Sequence, residues 1–227
     1  MLLADELVLV AIDLDSGRHR LGTRDQLNAC LAGLLVIELV LDGHAEAAAS
    51  ERELAIVGDR PVHPVLAAAA EVLAEKDGRI KGALSHMDRG LRDRLGTGTW
   101  DTLAAALVDD GSLEAVEGGL RDKWIVHDPA ARDRIIATLR QAADGDEPME
   151  VRTAALLSMT GPAQLLEVVA PDRAGRKHAR RRIDHALDGA SLQPISASVR
   201  RVLAEAAAVA AATAVAASAA AATSGSS

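Results

Sequence analysis

The most apolar stretch of the chain, residues 26–43, predicts the helix around which the rest of the fold packs. Its apolar residues begin at helical spacing and then close into an almost unbroken run. A helix that is apolar nearly all round belongs inside a shell of other helices. Asp25 and Asn28 are predicted N-cap residues, because their side chains accept hydrogen bonds from free backbone N–H groups. Gly43 is predicted to end the helix, since glycine adopts the left-handed conformation without a Cβ clash.

Glu38 is the carboxylate that interrupts this apolar run. A carboxylate is costly to bury unless an opposite charge or hydrogen-bond donors accompany it. The pattern therefore favours a Glu38 that lies at the edge of the helix or meets one arginine. A catalytic glutamate is the alternative that the sequence leaves open.

Shorter amphipathic segments on both sides of the run predict a mostly α-helical protein. We predict helices over residues 2–12, 63–75, 80–87, 99–110, 129–143, 151–160, 173–186 and 196–222. Residues 113–126 predict a small β-hairpin that turns across residues 117–119, because two glycines suit the turn. Residues 53–58 have the apolar character of a short strand. These elements predict one globular domain over residues 1–222, with amphipathic helices around a buried central helix, and a disordered tail over residues 223–227.

The composition supports a helical core built from small and branched side chains. Of the 227 residues 49% are hydrophobic, yet the chain has no Phe or Tyr and only two Trp, Trp100 and Trp124. Ala, Leu and Val must therefore fill the interior, and Ala has the highest intrinsic helix propensity.

Charge, the cysteine count and the termini limit the classes of partner and compartment. A net charge of −8 argues against a nucleic-acid-binding protein, which needs a basic surface to meet phosphates. Cys30 is the single cysteine and lies in the apolar run, which predicts a buried thiol and no intrachain disulfide. The first residues are acidic where a signal peptide is basic, so we predict a cytoplasmic protein. Residues 206–222 lack charge, but alanine is only marginally apolar, which favours a packed or surface helix over a membrane span.

No motif for catalysis or metal binding emerges from the sequence. There is neither a G-x-S-x-G elbow nor an H-E-x-x-H pair. The seven histidines are scattered singly, without the spacing of metal ligands. We therefore predict no catalytic residue, no metal and no cofactor.

Two clusters of basic residues are the remaining candidates for a functional site. Arg89, Arg92 and Arg94 lie at i, i+3 and i+5, so Arg89 and Arg92 share one side of a helix. Two guanidinium groups on one side can bind a phosphate bidentately. The second cluster, residues 173–182, places its Lys and Arg along one helical stripe. The alternative for both clusters is solvated charge that balances nearby acids such as Asp88 and Asp93.

Seven segments, taken in order, carry a resemblance to a known family. They are LLADELVLVAIDLDSG, LAGLLVIELVLDG, LAIVGDRPVHPVL, LVDDGSLEAVEG, WIVHDPAARDRIIATLR, VRTAALLSMTGPAQLLEVV and ARRRIDHAL. Through them the chain resembles the Golgi phosphoprotein 3 family, in particular its bacterial and most of all its actinobacterial members. The resemblance implies one mostly α-helical domain with a buried central helix. It also implies lipid binding without catalysis, since eukaryotic members bind phosphatidylinositol 4-phosphate and act as peripheral Golgi membrane adaptors.

The resemblance implies a lipid site that this chain matches only in part. In the family, a Trp and an Arg near the start of the central helix join two Arg spaced R-x-x-R on a later helix. Thr23 and Ala32 stand here at the first two positions. The aromatic residue and one phosphate ligand are therefore replaced.

The two later arginines have two possible registers. Arg89, Arg92 and Arg94 match the R-x-x-R-x-R pattern directly. An insertion precedes the LVDDGSL segment, however, and alignment on that segment places Thr97 and Trp100 at the arginine positions. Both registers stay open from the sequence.

These observations predict a non-enzymatic protein that binds a phosphoinositide or another anionic phospholipid as a peripheral membrane adaptor. Arg89, Arg92 and Arg94 are its predicted phosphate ligands. The partner is an anionic head group or the inner membrane face, nucleic acid is not a partner, and a protein partner and self-association stay open. The alternative is a helical protein-interaction scaffold without lipid binding. A third hypothesis is an enzyme built from dispersed residues such as Glu38.

Overall fold

The secondary structure, taken from a computed structural model, comprises nine α-helices and four short strands within the described residues. The structure describes residues 1–19, 24–48, 52–116, 123–188, 192, 194, 195 and 197. In chain order the elements are α1 (Leu3–Ala11), α2 (Arg24–Leu41), β1 (Ala45–Ala47), β2 (Leu54–Ile56), α3 (Pro64–Glu75), α4 (Ile80–Leu95), α5 (Thr99–Asp109), β3 (Leu113–Val116), β4 (Lys123–Val126), α6 (Pro129–Asp144), α7 (Val151–Thr160), α8 (Leu166–Val169) and α9 (Arg173–Asp188). The predicted fold class, a mostly α-helical domain with a small hairpin, is confirmed.

Helix α2 lies at the centre of the other helices, as its apolar pattern predicts. It packs against α1, α3, α4, α5 and α7. Leu31, Leu34 and Leu35 have no exposed surface. Fully burying one such side chain stabilises a fold by about 2 kcal/mol. The central helix therefore contributes much of the stability of the core.

The ends of α2 agree with the prediction on one side only. Asp25 and Asn28 were predicted to cap the helix, and this is wrong, because α2 begins at Arg24 and both residues lie inside it. Gly43 has a φ of +74° just beyond the last helical residue, which confirms the predicted end. The Asn28 side chain instead forms hydrogen bonds with residues of α4 and α5.

The four strands form two small antiparallel pairs. Strand β3 pairs with β4, with Leu113 opposite Val126, which confirms the predicted hairpin. The predicted turn at residues 117–119 lies outside the described residues. Strand β2 confirms the strand predicted near residues 53–58, and it pairs with β1, which the sequence did not predict. Ala45-Glu46-Ala47 has low β propensity, so the pairing depends on β2 rather than on local preference.

Helix α4 is longer than the sequence predicts. It was expected to span residues 80–87, but it continues to Leu95 and carries all three candidate arginines. Gly96 ends it with a φ of +86°, and its N–H donates to the carbonyl of Arg92. The break between α4 and α5 is therefore where the sequence predicted an interruption, at residues 96–98.

The predictions about the C-terminal residues remain untested, whereas the predicted burial of Cys30 is confirmed. Apart from residue 197, the predicted helix over residues 196–222 and the tail over 223–227 lie outside the described residues, so the limits of the domain stay predictions. Cys30 is buried as predicted, and burial raises the pKa of its thiol to about 12. Among the described helices, none combines the length and the apolar character that crossing a membrane requires.

Candidate functional site

Arg89 and Arg92 project from one exposed side of α4. Their side chains are 83% and 61% exposed, and residues three apart on a helix are neighbours on its surface. Arg89 Nε lies 3.8 Å from Asp93 Oδ2, at the limit of an ion pair. Arg92 Nη2 donates to Asp88 Oδ2 at 3.0 Å. Both arginines thus reach solvent, but Arg92 is the more firmly held.

Arg94 faces a different neighbour, helix α3. Its Nε donates to Glu71 Oε2 at 2.9 Å, its Nη2 donates to Glu75, and its Nη1 donates to the carbonyl of Gly90 at 3.0 Å. Its side chain is only 21% exposed. The hydrogen bond from Arg94 holds the pKa of Glu71 below its ordinary value. Arg94 therefore fastens α4 to α3, and the structure does not bring it together with Arg89 and Arg92.

Asp88 is the centre of a junction between α2, α4 and α5. Its Oδ2 accepts from Arg92, one turn further along α4. Its Oδ1 accepts from Asn28 Nδ2 of α2 at 3.0 Å and from the backbone N–H of Thr99 at 2.8 Å. The Asn28 Oδ1 accepts in turn from the backbone N–H of Trp100 at 3.1 Å. Three helices are therefore joined through one carboxylate and one amide.

The start of α5 explains why this carboxylate is needed. Its N-cap residue is Gly98, which has no side chain to accept from the free N–H groups of the first turn. A Cβ at Gly98 would lie 2.5 Å from Asp88 Oδ1 and 3.0 Å from Arg92 Nη2. Asp88 thus caps α5 from another helix, and a negative charge there is also favoured by the helix dipole.

The structure places both registers of the arginine motif around this junction. Arg92 reaches it from α4, and Trp100 reaches it through its backbone N–H. Trp100 is 2% exposed and meets His19 edge to face at 5.9 Å between ring centroids. Thr97 Oγ1 lies 2.8 Å from Thr102 Oγ1. The LVDDGSL segment runs from the last residues of α5 to the first residue of β3, so the helix that leads into the hairpin carries the Trp and not the three arginines.

Of the other two positions of the family's site, the structure describes only Ala32. Ala32 is buried within α2 and has no polar side chain. Thr23 lies outside the described residues. Asn28 and Thr99 were not predicted from the sequence to belong to the junction, and Asp88 was predicted only to balance nearby charge. The i, i+4 spacing of Asp88 and Arg92 was the one signal of this contact that the sequence contained.

Glu38 is buried in the core with an arginine, as the favoured prediction states. Its Oε1 accepts from Arg152 Nη1 at 2.5 Å, and its Oε2 accepts from the backbone N–H of Leu3 at 2.8 Å. Arg152 also donates to Glu6 Oε1 at 3.3 Å. Burial raises the pKa of Glu6. A neighbouring cavity of about 360 Å³ is lined by Glu6 and Arg152 but not by Glu38.

In the basic helix α9, some arginines donate hydrogen bonds to backbone carbonyl groups and others are exposed to solvent. Arg176 Nη1 donates to the carbonyl of Pro171, and Arg182 Nη2 donates to that of Glu147, each at 2.5 Å. Arg180 and Arg181 are exposed. In the part of the chain that the structure describes, no group of three or more His, Cys, Asp or Glu side chains is placed to hold a metal.

The fold and the junction define a helical protein with a buried central helix and an arginine-bearing surface helix. The family model for Golgi phosphoprotein 3 (GPP34) matches residues 3–221, nearly the whole chain. The chain therefore belongs to the GPP34 family, which is not a family of enzymes. A comparison with curated proteins gives no match.

Proposed function

We propose that this protein binds anionic phospholipid head groups, with phosphatidylinositol 4-phosphate among them, at the cytoplasmic face of a membrane. It acts there as a peripheral adaptor and carries out no chemical step. The observation that supports the proposal best is the exposed pair Arg89 and Arg92, one turn apart on α4. Membership of the GPP34 family supports it independently.

Arginine suits this task because its planar guanidinium group donates two parallel hydrogen bonds to a phosphate. Arg89 and Arg92 supply two such groups side by side. Arg94 is already shared between Glu71 and Glu75, so the proposal assigns it to holding α4 in place. A rigid helix keeps the two ligands at a constant spacing, which lowers the entropic cost of binding.

The second candidate function is a scaffold that binds another protein, and the β3–β4 hairpin favours it. Val116 and Ile125 are exposed on the hairpin although both are large and apolar. They lie opposite Lys123 and Glu114, so this side of the hairpin alternates apolar and charged residues. In the scaffold hypothesis, a partner protein would cover these two side chains and pair with the charges beside them.

Liposome co-sedimentation tests the lipid proposal. The vesicles are neutral phosphatidylcholine, phosphatidylcholine with phosphatidylglycerol, or phosphatidylcholine with phosphatidylinositol 4-phosphate, each at low and at physiological salt. The test variant is Arg89→Ala/Arg92→Ala. The matched control is Arg180→Ala/Arg181→Ala, which removes the same charge from the exposed part of α9.

We expect the α4 double variant to bind the phosphoinositide vesicles roughly thirtyfold more weakly, because each of the two arginines near an anionic surface contributes about 1 kcal/mol. The α9 control should bind within about twofold of the unsubstituted protein. Equal losses in both variants, fading with salt, would mean that only general surface charge acts and would overturn the assigned site. No binding to any vesicle would overturn the lipid proposal and favour the scaffold.

A further inference from the structure

A cavity of about 360 Å³ lies between α1, α6 and α7, and the arginines of α4 do not line it. Leu3, Ile135 and Leu156, one residue from each helix, form its apolar wall. The volume falls within the range of small-molecule pockets in proteins, roughly 300–1,000 Å³. Such pockets combine apolar walls with a few polar groups that orient a ligand. The cavity therefore has the size and the composition to hold one small organic molecule.

The charged groups at this cavity indicate the charge of such a molecule. Arg152 Nη1 donates to Glu38 Oε1 at 2.5 Å, and Arg152 Nη2 donates to Glu6 Oε1 at 3.3 Å. One guanidinium group thus balances two carboxylates, which leaves one negative charge in excess when both are ionised. Arg134 also lines the cavity, but it pairs with Asp128 at 3.3 Å. The cavity is therefore complementary to a cation.

Glu6 is the less firmly held of the two carboxylates, and it is the one that lines the cavity. Its side chain is 20% exposed. Among the described residues, it accepts a hydrogen bond only from Arg152. At 3.3 Å this bond is long for a charge-assisted hydrogen bond, which typically measures about 2.7–2.9 Å. Burial raises the pKa of Glu6, Arg152 opposes the rise, and the attraction of the Met1 amino group is weaker still. Glu6 therefore has acceptor capacity left for a ligand.

We propose that this cavity binds a small organic cation, a primary ammonium group joined to an aliphatic chain. The ammonium group donates to the carboxylate of Glu6, and the chain lies against the apolar wall. Thr138 and Thr153 also line the cavity, and their hydroxyl oxygens can accept from the same ammonium group, which has three donors. The site is separate from Arg89 and Arg92 and does not depend on the proposed lipid binding.

The charge of the ligand decides its affinity for this cavity. An ammonium group completes the charge balance of Glu6, Glu38 and Arg152. A neutral molecule of the same shape gains only the contact with the apolar wall. A carboxylate of the same shape adds a third negative charge next to Glu6, and like charges at short distance repel. Molecules that share one aliphatic chain but differ in charge therefore distinguish a cation site from a merely apolar cavity.

Isothermal titration with hexylammonium chloride, 1-hexanol and sodium hexanoate, at neutral pH and constant ionic strength, tests this inference. The three probes share one six-carbon chain and differ in charge, and hexylammonium stays protonated at neutral pH as a lysine side chain does. We expect hexylammonium to bind roughly tenfold more tightly than 1-hexanol, because hydrogen bonds between charged groups are the strong ones. Hexanoate should bind more weakly than 1-hexanol.

Glu6→Gln tests the carboxylate itself, because it keeps the shape of the side chain and removes its charge. We expect its affinity for hexylammonium to fall roughly tenfold, while its affinity for 1-hexanol changes by less than about twofold. Glu46→Gln is the matched control, since Glu46 is exposed on β1 and does not line the cavity. It removes the same charge from the molecule and should change hexylammonium binding by less than about twofold.

A second pair of variants tests the cavity without a change of charge, which also covers a Glu6→Gln protein that does not fold. Thr138→Phe fills the cavity from an exposed position of α6, and Ala137→Phe adds the same ring at the neighbouring exposed position, which does not line the cavity. Circular dichroism establishes which variants are folded. We expect Thr138→Phe to abolish hexylammonium binding and Ala137→Phe to retain it. The inference is overturned if hexylammonium does not bind, if 1-hexanol or hexanoate binds as tightly, or if folded Glu6→Gln or Thr138→Phe keeps full affinity.

Discussion

Glu38 shows how one buried carboxylate is kept in an apolar helix. Its side chain is almost fully buried, and its partners Arg152 and Leu3 belong to distant parts of the chain. Arg152 remains partly exposed, so its guanidinium group joins the core to the surface. A buried ion pair costs desolvation, but removing one partner leaves the other charge unpaired.

Replacing Arg152 with Ala should lower the free energy of unfolding by about 3 kcal/mol, because Glu38 would remain buried without its cation. Urea denaturation at neutral pH measures the loss. The control is Arg134→Ala, since Arg134 lines the same cavity and, among the described residues, pairs with exposed Asp128. Its loss should be below about 1 kcal/mol. Equal losses in the two variants would contradict a special role for the Glu38 pair.

At the scale of elements, α5 depends on a neighbouring helix for its first turn. Gly98 has no capping side chain, and Asp88 of α4 accepts from the N–H of Thr99 in its place. This arrangement couples the stability of α5 to the position of α4, which Arg94 and the close approach of Gly90 to Val72 hold against α3. Contacts with α3 and α5 therefore hold the part of α4 that carries Arg89 and Arg92.

Gly98→Ala should lower the free energy of unfolding by about 1 kcal/mol, the typical cost of a lost helix cap. The physical reason is the distance of 2.5 Å between the added Cβ and Asp88 Oδ1. Gly161→Ala is the matched control, since its φ of −65° suits alanine and no atom lies within 4 Å of an added Cβ. Thermal unfolding measures the stability of both variants. A Gly98→Ala protein as stable as the Gly161→Ala control would refute the capping of α5 by Asp88.

At the scale of the molecule, one continuous apolar core joins all of the helices from α1 to α9. Trp100 is the one aromatic ring fully buried in it, and Leu, Val and Ala fill most of the rest. Asp5 lies at the edge of this core, and its Oδ2 accepts from the backbone N–H of Leu2 at 2.7 Å. Its Oδ1 has no partner among the described residues.

Burial raises the pKa of Asp5 above its ordinary value, and the Leu2 hydrogen bond opposes this only in part. Between the unfolded pKa, about 3.9, and the raised folded pKa, the folded state binds more protons than the unfolded state. The stability should therefore fall as the pH rises through this interval. Asp5→Asn should weaken the dependence of the free energy of unfolding on pH. Asp15→Asn is the control and should not change this dependence, because Asp15 is exposed. Urea unfolding at several pH values from about 4 to 7 measures this, and parallel curves for Asp5→Asn and the unsubstituted protein would contradict it.

Much of the fold follows from local pattern, because helices depend on periodicity over a few turns. The spacing of apolar residues predicted α2, α3, α5, α6 and α7 closely, and the Asp128-Pro129 start of α6 is capped by Asp128 as such a sequence indicates. The pattern did not predict β1, whose residues have little β propensity. It ended α4 too early, because a dense arginine cluster has no apolar periodicity of its own.

The candidate site divides in the same way between sequence and structure. The sequence by itself determined the helical class, the buried central helix and the arginines that share one side of α4, since these depend on spacing along the chain. Only the tertiary structure decided that Arg94 belongs to α3 and that Asp88 caps α5. It also placed Asn28 beside them, although 60 positions separate Asn28 from Asp88. Contacts between helices depend on how the helices pack, and the pattern of each helix alone does not contain that information.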